Sequence, residues 1–306
     1  MADSHSHHGG SLDHPEITGR NLLISICLNI GITLAQAIGG FISGSLSLLS
    51  DALHNFTDVI SLMISYIASR FSKKQASFQK TFGYKRAEII AAFVNASTLM
   101  VIAVLLIIEA VQRFFDPQEI QPNVVIWLSI LAIAGNGFSV WLLKKDSENN
   151  MNMRSAYLHL FTDMLASVAV LIGGLLMKYY QLFWIDSVLT AGIAVYLIIV
   201  GFDLLKSSFN VLMLFTPNDI PIEKIVAHVS IISEIKNMHH VHIWQLNEDE
   251  VHLEAHIDFH DNISLSEFDL ILERIEEIAQ REFGINHVNI QPEYNKSDDK
   301  EMIVQD

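Results

Sequence analysis

The chain has 306 residues, of which 51% are hydrophobic and 17% charged. Its mean hydropathy is +0.35; soluble domains carry roughly 25% charged residues, so the composition excludes a wholly soluble protein. A formal net charge of −15 argues against a nucleic-acid partner and suits cation handling.

Residues 1–16 are polar and carry His5, His7, His8 and His14. They read as a disordered tail that either collects cations loosely or has no role. No cleavable signal peptide is expected, because the first apolar stretch is already span-length. The membrane domain is expected over 17–208. Crossing a bilayer takes about 20 apolar residues, and six segments qualify: 20–42, 47–69, 88–112, 122–144, 153–177 and 183–205. Cys27 is the sole cysteine and falls in the first, where it reads as a small buried apolar residue rather than a disulfide partner.

Arg20, Arg70, Lys73, Lys74, Lys80, Lys85, Arg86, Lys144, Lys145, Arg154 and Lys206 flank the spans on one side, against Arg113 and Lys178 on the other. That bias places both termini in the cytoplasm. From 206 onward there are 7 Lys+Arg against 20 Asp+Glu, and before it 12 against 14, so 209–293 reads as an acidic soluble domain. Its periodicity predicts helix 219–232, strands 238–246 and 250–260, helix 264–283 and strand 285–292. This αββαβ order is that of a small open-faced α+β sandwich. Residues 294–306 are polar and read as a disordered tail.

The chemistry is concentrated in a repeat. Residues 50–59 (SDALHNFTDV) return at 155–164 as SAYLHLFTDM, with His54 and Asp58 in one copy and His159 and Asp163 in the other. On a helix, residues four apart share a face. Two such faces would present two imidazoles and two carboxylates, a shell that Zn2+ accepts. Ionisable residues within spans are expensive and usually functional. Metal and protons would compete for this shell, which is the physical basis of exchange. Asp51, Asn136 and Asp186 are polar positions in apolar surroundings that would support it from outside, although structural hydrogen bonding competes as an explanation.

The soluble tail carries His239, His240, His242, His252, His256 and His260. The best combination for a cytoplasmic metal site is His239 and His256 with Gln291 and Glu293. Spacing cannot bring them together by itself, because they lie on three strands.

These features resemble the cation diffusion facilitator family, in its branch exporting zinc, cobalt and cadmium. The resemblance rests on the two HxxxD pairs, the stretch from Phe82 to Glu88 (FGYKRAE), Trp184-Ile185-Asp186, and His239 to Trp244 (HHVHIW), with His240 where the family usually has Asp. It covers about 15–293. It implies a homodimer with a Y-like outline, a metallochaperone-like tail that binds Zn2+, and alternating access driven by proton antiport. No organic cofactor is implied. His54, Asp58, His159 and Asp163 match the family's transport site; His239, His256 and Glu293 match tail ligands, and Gln291 falls where some members have His. The loop between the second and third spans has no His, so no further metal site is expected there. The 144–154 loop is short and also lacks His, which leans towards the inner membrane of a bacterium. Two rival readings are an intramembrane hydrolase and a zinc-sensing receptor without transport. A closed four-ligand shell and the absence of HExxH disfavour the first; the second leaves the membrane quartet without purpose.

Overall fold

A computed structural model of the chain describes residues 19–147 and 151–304. The histidines of the N-terminal tail lie outside the described residues. The elements are α1 (Gly19–Ser43), α2 (Leu46–Ser72), α3 (Ala87–Phe115), α4 (Pro122–Ser147), α5 (Met151–Tyr180) and α6 (Trp184–Leu212). A second group follows: α7 (Ile222–Val229), β1 (Ile235–Gln245), β2 (Val251–Phe259), α8 (Leu265–Phe283) and β3 (His287–Glu293).

Among the described residues, five helices (α1, α3, α4, α5 and α6) are long and apolar enough to cross a membrane. The sixth, α2, is 27 residues long. Asp51, His54, Asn55 and Asp58 lower its apolar average, so a chemical load is what separates it from the others. The helices overrun the expected spans by a few residues, because a helix continues past the hydrocarbon until a cap or breaker stops it. Cys27, expected to be buried, is exposed; it sits on an outer face of α1 among the exposed Ile24, Ile26 and Ile30.

The chain divides into two compact units. One comprises Met1–Val59 and Val104–Tyr196. In it α4 lies against both α1 and α5. Val125, Ser129, Ala132, Asn136, Ser139 and Leu143 form the buried stripe of α4, at the three- and four-residue spacing of one helix face. Small residues bring these helices close: a Cβ on Gly174 would come within 3.1 Å of Ile126.

The start of α2 is fixed from α6. Gly44, with φ at +74°, turns the chain out of α1, a conformation glycine adopts without strain. The buried Asp186 carboxylate then accepts from Ser45 Oγ at 2.7 Å, Leu46 N at 2.7 Å and Ser47 Oγ at 2.5 Å. A carboxylate at a helix N-terminus satisfies orphan amides and opposes the positive end of the dipole. Asp186, expected as a possible support for the metal shell, is the cap of α2.

The second unit comprises Ile60–Ala103 and Leu197–Asp306. Its αββαβ portion has sheet order β1-β2-β3. β1 and β2 are antiparallel, and β2 and β3 parallel. Ile225, Val229, Met238, Leu253, Ile257 and Ile275 are among the residues of its core. α8 begins with a Ser264–Glu267 capping box and ends at Gly284 in the left-handed conformation, the strongest local start and stop signals a helix has. α7 is shorter than expected, since Pro221 stands at its N-cap and Ser230 at its C-cap.

Two features depart from the expected alternation. β1 is irregular between His239 and His242, and His240 adopts φ of +51°. Residues 294–304 stay close to the sheet. His240 N donates to Glu301 O at 3.1 Å and Val241 N to Met302 O at 2.9 Å, so the polar segment up to 304 runs along the open edge of β1.

Candidate metal centres

α2 and α5 bring the four repeat residues together. His54 Nε2 lies 3.6 Å from Asp58 Oδ2 and 3.9 Å from Asp163 Oδ1. His159 Nε2 lies 3.3 Å from Asp58 Oδ2 and 3.5 Å from Asp163 Oδ2. Each imidazole therefore faces one carboxylate of its own helix and one of the other. Zinc bonds of about 2.0–2.1 Å imply tetrahedron edges of about 3.3–3.4 Å, close to these separations. Asp58 Oδ2 and Asp163 Oδ2 are buried without a hydrogen-bond partner among the described residues. Buried acceptors left open in this way are costly, and a divalent cation at their centre would relieve both.

A cavity of about 380 Å³ reaches this cluster, with Asp51, His54 and Asp163 in its wall and Ala166, Val170, Val188, Ile193 and Tyr196 completing much of the apolar remainder. Asp51 is 3% exposed and accepts from Gln36 Nε2 at 2.5 Å. Gln36→Leu removes that charge-assisted bond. It is expected to destabilise the chain by about 1–3 kcal/mol, read as a lowered unfolding midpoint in detergent. Asn136 lies on the buried face of α4, and neither its oxygen nor its nitrogen has a hydrogen-bond partner among the described residues.

The tail sheet assembles a second cluster by register. His239 pairs with His256 across β1 and β2, His256 pairs with Gln291, and Asp258 with Glu293 across β2 and β3. His256 Nδ1 is 3.1 Å from Glu293 Oε1, and His239 Nε2 is 3.4 Å from Glu293 Oε2. Ligand atoms of His239, His256, Glu293 and Asp298 all lie within 4.8 Å of one another. Gln291 Nε2 donates to Glu293 Oε1 at 2.8 Å. Burial holds His256 below the usual imidazole value, which keeps a lone pair available. Burial works to raise Glu293, but hydrogen bonds from Lys296, Lys300 and Gln291 prevail and hold it below the usual glutamate value.

Two comparisons bear on what these centres serve. Residues 22–213 match the cation efflux transmembrane domain, and 217–295 match the cytoplasmic domain of cation efflux proteins. The chain belongs to the cation efflux family. Among its relatives is a "Cadmium, cobalt and zinc/H(+)-K(+) antiporter" of Bacillus velezensis, 37% identical, with 96% of this chain and 92% of that protein covered. "Zinc transporter ZitB" of Escherichia coli is 33% identical over 96% of this chain and 93% of its own length. "Metal cation efflux system protein CzcD" of Cupriavidus metallidurans is 32% identical over 95% and 90%.

This cation efflux chain is therefore an integral membrane transporter of divalent metal cations and not an enzyme, which removes the hydrolase reading. For such a protein, the sequence reading missed three residues around the tail cluster: Asp298, Lys296 and Lys300. All three lie in the polar segment 294–306, whose composition is that of a solvated tail. The one available signal was its alternation of acidic and basic residues, too common in exposed tails to point anywhere.

Proposed function

We propose that the protein is a proton-coupled exporter of Zn2+, with Cd2+ and Co2+ as further substrates, working by alternating access as a homodimer in a bacterial inner membrane with both termini cytoplasmic. The observation that carries the reading is the convergence of His54, Asp58, His159 and Asp163 from two helices at tetrahedral edge distances. Two nitrogens and two oxygens suit zinc, whereas oxygen-rich shells suit Mn2+ and Mg2+ better. The ligands bind metal only when their lone pairs are free of protons, so loading metal releases protons and loading protons releases metal. In this reading the chemistry of the shell is itself the coupling device. His239, His256 and Glu293 serve as a resident metal site of the cytoplasmic domain, the residues through which metal would favour association of two tails.

The test is zinc flux in proteoliposomes under an imposed pH gradient, with K+ equal on both sides. Zinc should accumulate on the acidic side, and zinc should hasten collapse of the gradient. Zinc movement indifferent to pH sinks the proton-coupled reading. The name of the Bacillus velezensis relative includes potassium, and this favours a second reading, in which K+ also moves. A K+ gradient alone would drive zinc in that case and should have no effect in the first.

A further inference from the structure

The tail sheet is open on its outer face, where polar side chains of β1, β2 and β3 should meet water. His239 is nevertheless 0% exposed, Glu293 5% and Asp258 7%. The cover is the chain itself. Asn237 Nδ2 reaches Lys300 O at 3.4 Å, Glu301 and Met302 accept from the backbone of β1, and between these anchors the Lys300 side chain turns inward. Its Nζ lies 3.3 Å from His239 Nε2, 3.0 Å from Asp258 Oδ1 and 2.9 Å from Glu293 Oε2, and it is ion-paired with Asp298. Lys296 closes the outside, with Nζ 2.6 Å from Glu293 Oε1 and 3.2 Å from Asp298 Oδ2.

An ammonium carries positive charge and three donors on a flexible stem. At this position it engages His239 Nε2 and Glu293 Oε2, lone pairs that a metal ion would also need. We infer that residues 296–302 are a strap whose Lys300 is a built-in competitor for the tail metal site, and that a divalent cation binds there by expelling the Lys300 ammonium while keeping Asp298 as a fourth ligand beside His239, His256 and Glu293. This rests on the reading of those three residues as tail ligands. The competition is intramolecular, so Lys300 does not dilute away, and apparent metal affinity is the intrinsic affinity multiplied by the fraction of time the strap is open. The site therefore stays filled by its own cation at low free metal and changes hands only when metal rises. Expulsion of Lys300 also loosens the anchors of Glu301 and Met302 on β1.

The experiment uses the full chain in detergent, with His54→Ala and Asp163→Ala silencing the membrane centre and free Zn2+ set by a chelator buffer. Lys300→Met should lower half-saturating Zn2+ by about tenfold or more. Lys300→Arg, which retains the cation, should move it little. Without any change to the strap, zinc should speed hydrogen exchange at the amides of His240 and Val241. If His239→Ala abolishes binding while Lys300→Met leaves half-saturation unchanged and zinc does not alter those amides, the strap inference is overturned and the site stands. If His239→Ala binds zinc as well as the chain with His239 intact, the site reading itself is wrong and the strap falls with it.

Discussion

Under the proposed function, Asp163→Ala is expected to remove nearly all proton-driven zinc flux. Asp163 is the most buried of the four convergent residues, 3% exposed, and its two oxygens face His54 and His159 separately. Removing it deletes an anion and leaves two imidazoles without the carboxylate they share. Changes even to groups behind the ligands of metal sites cost about 10–100-fold in affinity or activity, so loss of a ligand should reduce flux by about 100-fold or more. The check is zinc transport in proteoliposomes beside zinc binding to the same protein. Asp163→Ala should keep tail-domain binding, and that retention separates a lost transport site from a misfolded chain. Flux near the wild-type rate would remove Asp163 from the transport shell.

The second large effect is structural. Asp186→Ala leaves the backbone amide of Leu46 and the hydroxyls of Ser45 and Ser47 without the acceptor they share. Ser45 Oγ still accepts from Leu48 N, but buried donors left unsatisfied cost about 1–3 kcal/mol, so about 2–3 kcal/mol is expected from the single change. Unfolding in detergent should report it. Asp186→Asn keeps one carbonyl acceptor and should recover part of the loss. The same substitution should weaken zinc binding at the quartet, since His54 lies two turns beyond the cap.

Much of this was legible in residue order. Hydropathy marks the apolar helices, and the spacing of His54 to Asp58 and His159 to Asp163 assigns each pair to one helix face. The i,i+4 rule acts within a helix, however, and says nothing about which faces meet. That α2 and α5 converge on one point is a tertiary fact carried by packing, and the LHxFTD repeat only hinted at it. Structural hydrogen bonding at Asp186 was one of the two expected roles; sequence could not name its partners, because the residues that it bonds at the start of α2 lie 139–141 residues away. The strap was illegible for a further reason. Lys296, Asp298 and Lys300 have the composition of a solvated tail, and only a polar cluster waiting on the sheet gives them partners. The irregularity at His240 likewise escapes a rule of strict alternation, which assumes that every residue of a strand takes an extended backbone.

The Asp186 cap has a mechanical consequence. It ties the first residues of α2 to the first residues of α6 through several short bonds, so at that end the two helices cannot slide along each other without breaking them. What remains is rotation, with the cap as fulcrum. His54 and Asp58 stand 8 and 12 residues along α2 from Leu46, lever arms of about 12 and 18 Å at 1.5 Å per residue. A swing of about 5° would shift them by about 1 and 1.6 Å, beside metal–ligand bonds of about 2 Å. A tilt of a few degrees at the cap would therefore change the separation of His54 and Asp58 from His159 and Asp163 by a large part of a bond length.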